Sequence, residues 1–269
     1  MHIQEEQNKT VLTSTQNPRI KHLLLLQQKS SQRKTDGLFV VEGRREVGHC
    51  LAAGYTVRTA FVCEEIADVS LSLPQGIEIV PVGRNVYERI AYRGGTEGIV
   101  AVVDTKKTTL ADLRLSSSPL IVVLESVEKP GNLGAVLRSA DAAGADAVIV
   151  CDPLTDLYNP NLIRSAVGAI FTVPCVACST EECIAFFKEK GVKILTAQLQ
   201  DSHLYYDIPM TGPTAIVMGT EATGLTPQWR RAADAHIRIP MLGQLDSLNV
   251  SVSAAILLYE AVRQRQNAK

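Results

Sequence analysis

PLIVVLESVEKPGNLGAVLRSADAAGADAVIVCD, residues 119–152, reads as strand, helix, strand. PLIVVLE and DAVIVCD are near-continuous apolar runs, the signature of a strand buried on both faces, and GNLGAVLRSADAAG between them is a helix candidate. The rhythm continues downstream with strands FTVPCV (171–176), VKILTAQ (192–198), TAIVMG (214–219) and HIRIP (236–240). Helix candidates PNLIRSAVGAI (160–170), TEECIAFFKEKG (180–191) and TPQWRRAAD (226–234) lie between them, and NVSVSAAILLYEAVRQRQ (249–266) closes the chain. Ser179 followed by Glu182 supplies a capping box to the helix over 180–191. This alternation predicts an α/β domain over 119–269 with a mainly parallel sheet covered on both faces. Its ligand site is expected in the loops at the carboxyl ends of the strands.

Residues 1–104 carry a shorter version of the same alternation: a basic-rimmed helix over 17–34, strand LFVVEG (38–43), helix RREVGHCLAAG (44–54), strands VRTAFVC (57–63) and GIEIVPV (76–82), helix NVYERIAY (85–92) and strand EGIVAVV (97–103). A second, small α/β domain follows from this pattern. Residues 105–118, where threonines, serines and charges replace periodic apolar residues, read as a linker.

With 269 residues and 46% hydrophobic side chains, the chain is long and apolar enough to bury a sizeable core, which excludes disorder as its main state. A net charge of −1 excludes a molecule-wide positive field, yet residues 9–45 hold eight basic and two acidic residues. Basic charge is therefore concentrated at the front. No signal-peptide pattern opens the sequence and no apolar run is long enough to span a bilayer, so a soluble cytoplasmic protein is expected. Cys50, Cys63, Cys151, Cys175, Cys178 and Cys183 are read as reduced thiols. The cluster PCVACSTEEC offers Cys175, Cys178 and Cys183 as three thiolates, but structural zinc needs four ligands and no histidine stands at finger spacing, so no metal is expected.

GxGxxG after a strand, GxxxxGK[ST] and GxSxG are all missing, which removes the main support for dinucleotide, P-loop and hydrolase chemistry. Three strand-end segments stand out instead. In ESVEKPGNLGAVLRSADAAG (125–144), Gly131 and Gly134 allow close backbone approach around Asn132, and Arg138 lies one turn beyond Gly134. The plain alternative is an ordinary helix start with an exposed arginine. In VMGTEATGL (217–225), Gly219 ends a strand and Glu221 precedes a sharp reversal at Gly224, which serves either as a simple turn or as room for a flat ligand against the backbone. In RIPMLGQLDSLNVSVSAAILLYEA (238–261), Ser247 and Asn249 stand at the mouth of a long apolar helix that either of them can cap. A monomer would have to bury that helix completely at its own end, and a face shared with a second subunit accounts for it.

In this order, PGNLGAVLRSA, GTEATGL and IPMLGQLDSLNVSVSAA resemble the three motifs of the SpoU-type (TrmH-type) RNA ribose 2'-O-methyltransferases of the SPOUT superfamily. STQNPRIKHLLLLQQKSSQRKTDGLFVVEGRREV (14–47) is similar to the auxiliary RNA-binding domain of many of these enzymes, a fold like that of certain ribosomal proteins. The resemblance spans roughly residues 12–266 and implies a deep trefoil knot in the catalytic domain, S-adenosylmethionine as cofactor and a homodimer through the catalytic domain, with an arginine of one subunit near the cofactor of the other. It implies Gly219, Ile239 and Leu248 around the cofactor, Arg138 as the catalytic arginine, and Asn132, Glu221, Ser247 and Asn249 shaping its surroundings. Two positions depart from the common pattern: Lys129 where the family commonly has Asp, and Thr220 where it commonly has Asn.

The chemistry implied is methyl transfer to a ribose 2'-hydroxyl without a metal, with ribosomal RNA preferred over transfer RNA. Such a hydroxyl is a poor nucleophile at neutral pH, so alignment and handling of its proton carry the acceleration. Arg19, Lys21, Arg33, Lys34 and Arg44 are expected to meet the phosphate backbone. The competing readings are a non-catalytic RNA-binding or ribosome-assembly protein with the same fold, and an NAD-dependent oxidoreductase, whose glycine fingerprint is absent.

Overall fold

The computed structural model describes residues 10–67, 73–92, 97–220 and 223–268. The chain divides into two compact units, one comprising Met1–Lys106 with Tyr158–Pro160, the other Lys107–Leu157 with Asn161–Lys269.

In the first unit, α1 (Pro18–Gln28), α2 (Ser30–Asp36), α3 (Arg44–Ala52) and α4 (Arg84–Ile90) accompany β1 (Leu38–Glu42), β2 (Val57–Val62), β3 (Glu78–Pro81) and β4 (Ile99–Asp104). The sheet order is β1-β4-β2-β3, with β4 antiparallel to both neighbours and β2 parallel to β3. Asn17 caps α1 by accepting from the Arg19 amide, Pro18 sits in its first turn, and Ile20, Leu23 and Leu26 line its buried face at helical spacing. The single helix predicted over 17–34 is two, because Lys29 takes an extended conformation between α1 and α2.

That break relocates Arg33. Only 3% exposed, its guanidinium donates to the carbonyls of Leu26 (2.6 Å) and Gln27 (3.3 Å), groups that the end of α1 leaves without helical partners. Arg33 is therefore a capping residue of the fold rather than the RNA contact expected of it. Counting charge along the sequence does not distinguish a cation that solvates a surface from one that closes a helix.

The second unit contains a seven-stranded sheet, with β5 (Leu120–Glu125), β6 (Ala147–Cys151), β7 (Cys175–Cys178), β8 (Lys193–Ala197), β9 (His203–Leu204), β10 (Thr214–Met218) and β11 (Ala235–Arg238) in the order β7-β6-β5-β10-β8-β11-β9. Every pairing is parallel. β5, β6 and β10 are buried along their whole length, as their unbroken apolar runs require. Around the sheet run α5 (Pro130–Ala142), α6 (Pro160–Ala166), α7 (Ala169–Thr172), α8 (Thr180–Lys190), α9 (Pro227–Ala232) and α10 (Val250–Asn267). Phe187 of α8 and Trp229 of α9 cover one face of the sheet beside Ile149 and Val217, while α5 and α10 pack on one another, on β6 and on β10. Ser179 and Glu182 form the expected reciprocal capping box.

Three local readings differ from the sequence expectation. FTVPCV does not form one strand: Val167 and Gly168 both adopt positive φ, α7 takes Phe171 and Thr172, and the strand begins only at Cys175. Residues 105–118 include a 3₁₀ turn, Leu110–Asp112, capped by Thr109, and Leu110, Leu113 and Leu115 pack on the core of the second unit. The third is α10, whose Ala254, Leu257, Leu258 and Ala261 are buried within their own unit, so its apolarity does not by itself demand a second subunit. Arg265 fastens its far end by donating to the carbonyls of Ser118, Pro119, Met210 and Gly212.

Candidate active site

The strand order reverses direction between β5 and β10: from β5 the chain moves outward through β6 to β7, then crosses to build β8 on the other side of β10. In a parallel sheet the loops at such a switch diverge and leave a crevice at the carboxyl ends. Two neighbouring cavities lie there. The larger, about 380 Å³, is at the ends of β8, β10 and β11; the smaller, about 140 Å³, is at the ends of β5 and β10. Gly219, Thr220 and Val250 line both.

The larger cavity collects Gly219, Ile239, Ser247 and Leu248 from segments that begin twenty positions apart in the sequence. Gly219 is obligatory in its loop, because a Cβ there would fall 2.3 Å from the Gly224 carbonyl carbon and 2.5 Å from the Leu225 nitrogen. The loop is closed by the Gly224 amide donating to the Thr220 carbonyl (3.1 Å) and the Thr223 amide donating to Thr220 Oγ1 (3.0 Å). Thr220 thus supplies the turn-closing side chain for which an asparagine is also suited. Glu221 lies outside the described residues.

Asn132 lines the smaller cavity from the first turn of α5. Asn249 Nδ2 donates to Asn132 Oδ1 at 3.2 Å, joining the first and third segments across 117 positions of sequence. Asn249 also caps α10, accepting from the Ser251 amide (3.0 Å) and hydroxyl (2.6 Å). The capping and site readings therefore hold together for Asn249, whereas Ser247 caps nothing and its hydroxyl donates to Asp246 Oδ1 (3.2 Å). Lys129 occupies the cap position of α5 without a capping side-chain bond, the place where an aspartate would accept from the helix amides.

Arg138 is not brought to either cavity of its own chain. Six residues beyond Asn132 on α5, it stands about 9 Å along the axis and about 120° around it. Its side chain is exposed, with no hydrogen bond or ion pair among the described residues.

Several contributors escaped sequence reading. The segment after β8, Ala197–Gln200, forms one wall of the larger cavity. Ser126, in the smaller cavity, holds a left-handed backbone (φ +52°), a strained conformation of the kind that collects at functional sites. Glu125, buried at the end of β5, accepts from the Thr226 amide (2.9 Å), the Thr226 hydroxyl (2.7 Å) and the Thr180 hydroxyl (3.3 Å), tying the loop after β10 to the start of α8. Only the rule that sites gather at strand ends points to these positions in advance.

The residues present fit a nucleoside-bearing cofactor such as S-adenosylmethionine. The larger cavity is of ligand size, Leu199, Ile239 and Leu248 give it apolar walls for a flat base, and the tight turn at Gly219 brings main chain rather than side chain to its floor.

On the first unit, Lys21, Lys34 and Arg44 are exposed. Arg19 is exposed too, but it is ion-paired with Glu78.

Residues 119–259 match the SpoU rRNA Methylase family, and residues 17–101 match the MRM3-like substrate binding domain. The chain is 31% identical over 248 residues to the 23S rRNA (guanosine(2553)-2'-O)-methyltransferase RlmP of Bacillus subtilis, covering 92% of this chain and 97% of that protein. A crystal structure of an RNA 2'-O ribose methyltransferase superposes with a TM-score of 0.84 at 40% identity, covering 96% of this chain and 100% of the other. The AdoMet-bound rRNA methyltransferase from Sinorhizobium meliloti superposes with a TM-score of 0.86 at 29% identity over 94% of this chain and 97% of the other.

Proposed function

The chain belongs to the SpoU rRNA methylase family, and we propose that it transfers a methyl group from S-adenosylmethionine to a ribose 2'-hydroxyl of ribosomal RNA in the cytoplasm. The observation that carries the reading is the convergence of Gly219, Ile239 and Leu248 on one cavity, with the Asn132–Asn249 pair at its neighbour. The RNA named in the relatives' activities, together with the substrate-binding match over the first unit, supports ribosomal RNA over transfer RNA.

Gly219, Ile239 and Leu248 hold the cofactor in the larger cavity, which, when bound, supplies a methyl group activated on a sulfonium. Asn132 presents its amide at the smaller cavity, held by the Asn249 amide that donates to it, and there orients the incoming ribose. A guanidinium carries a permanent positive charge, so Arg138 acts by stabilising the negative charge that develops on the 2'-oxygen. Because Arg138 lies away from the cavities of its own chain, it serves the site of a second copy, and the enzyme is a homodimer through its catalytic unit. Leu242 and Leu245, 96% and 79% exposed, together with Val252 and Tyr259 of α10, are the exposed apolar side chains that such a dimer covers. The stretch from Ile239 onward, whose Ser247 and Leu248 share a cavity with the Gly219 loop, is the part that threads the family's knot.

Calorimetry tests the cofactor assignment. S-adenosylmethionine is expected to bind saturably without added metal and NAD not at all; saturable NAD binding with no response to S-adenosylmethionine refutes it. On the RNA side, Lys21→Ala with Lys34→Ala is expected to weaken binding and to lower the slope of log affinity against log salt by about two units, one per phosphate contact. Arg33→Ala behaves differently: it leaves two helix-end carbonyls unsatisfied and costs about 2 kcal/mol of stability, visible in thermal melts. Affinity titrations at several salt concentrations separate the two; an unchanged slope for the lysine pair moves the RNA surface elsewhere.

A further inference from the structure

Cys151, Cys178 and Cys183 converge at the carboxyl ends of β6 and β7, with their sulfur atoms all within 4.8 Å of one another. Sheet geometry explains why these three meet. Cys151 and Cys178 are register partners on adjacent parallel strands, so their side chains leave the same face of the sheet. α8 covers that face, bringing Cys183 and, one turn later, Phe187 against it. Cys175, three positions before Cys178 on the same strand, points to the opposite face. Cys151 thus takes the place that sequence proximity assigns to Cys175.

The donor set defines the chemistry. All three cysteines are free thiols. Cys151 and Cys183 are fully buried while Cys178 is half-buried, which shields a bound ion and leaves it a way in. Among the described residues, no imidazole nitrogen or carboxylate oxygen joins the three sulfurs as a fourth donor. An equilateral triangle with edges at the observed limit of 4.8 Å has its centre about 2.8 Å from each corner, against about 2.3 Å for a metal–thiolate bond, so inward movements of about 0.5 Å or less complete the coordination. Three sulfurs are one short of the tetrahedral set that structural zinc demands, but they are a full set for a soft ion of low coordination number.

We propose that Cys151, Cys178 and Cys183 form a three-thiolate site for a soft monovalent metal ion, copper(I). Binding replaces three S–H bonds by three S–Cu bonds and releases three protons to solvent; copper enters and remains as copper(I), so no electron is transferred. The site stands on β6, β7 and α8, separated by β5 from the cavity at the ends of β8, β10 and β11, while Cys151 is the register partner of Glu125, which lines the smaller cavity.

The test uses the full chain without oxygen and copper(I) supplied as its bicinchoninate complex. The protein is expected to withdraw one copper(I) per chain from the chromophore. Cys178→Ser, at the half-buried position, is expected to weaken binding by more than the roughly hundredfold that changes outside the ligand shell cost, and Cys175→Ser to leave it unaltered. X-ray absorption of the loaded parent protein, which needs no variant to fold, is expected to give a single shell of three sulfurs. Equal copper uptake by Cys178→Ser, nitrogen or oxygen in that shell, or retention of zinc(II) with no affinity for copper(I) each overturns the proposal.

Discussion

Arg138→Ala is expected to remove most methyl transfer, with a single-turnover rate at saturating RNA and cofactor about a hundredfold to a thousandfold below the parent, the scale of losing a principal stabiliser of transition-state charge. The same variant is expected to fold normally. Arg138 is exposed and makes no hydrogen bond or ion pair among the described residues, so its removal falls in the class of surface substitutions that shift stability by about 0.5 kcal/mol or less. RNA affinity is expected to hold as well, since one ribose contact is lost from a surface that many phosphates share. Arg138→Lys is expected to rescue little, because a lysine keeps the charge but loses the planar donor fork. A variant that methylates at the parent rate removes Arg138 from the site.

Gly219→Ala is expected to raise the dissociation constant for S-adenosylmethionine by about a hundredfold, equivalent to about 3 kcal/mol. The added Cβ meets the backbone of Gly224 and Leu225, not the end of a flexible side chain, so the loop has to open and the cavity floor moves with it. Gly212→Ala is the matched control, since nothing lies within 4 Å of a Cβ there. Calorimetry on both variants, with melting curves alongside, separates a lost cofactor site from a lost fold. Unchanged affinity for Gly219→Ala shows that the cavity is not the cofactor site. Mixing the two variants at a cofactor concentration that fills the parent site but leaves Gly219→Ala empty then locates the arginine. If Arg138 serves the partner's cavity, random pairing leaves half of the dimers mixed, each with one working site, and activity returns to about a quarter of the parent level; an arginine serving its own cavity returns none.

The βαβ rhythm of residues 119–152 was enough to foresee a parallel sheet, because strands buried on both faces have no polar alternation to obscure them. The grouping of Gly219 with Ile239 and Leu248, and of Asn132 with Asn249, was expected only from the family resemblance of the three segments in order, since nothing local to one segment says which others it meets. Arg33 was misread since a sequence shows charge but not the direction of a side chain; only the break at Lys29 turns it inward. The cysteine grouping failed for a related reason. Spacing of three along a strand places Cys175 and Cys178 on opposite faces, and the true neighbour, Cys151, is supplied by a register between β6 and β7 that no local pattern encodes. Glu125 and the wall at Ala197–Gln200 carry no motif, so their place in the site emerges only once the strand ends are assembled.

The most direct measurement of the central claim is nucleoside analysis of ribosomal RNA. Ribosomal RNA incubated with the purified chain and isotope-labelled S-adenosylmethionine is digested to nucleosides and analysed by mass spectrometry, with Arg138→Ala in parallel. Label is expected on the ribose of one 2'-O-methylnucleoside, present with the parent protein and absent with the variant. Label on a base, label that persists with Arg138→Ala, or no transfer to any ribosomal RNA contradicts it.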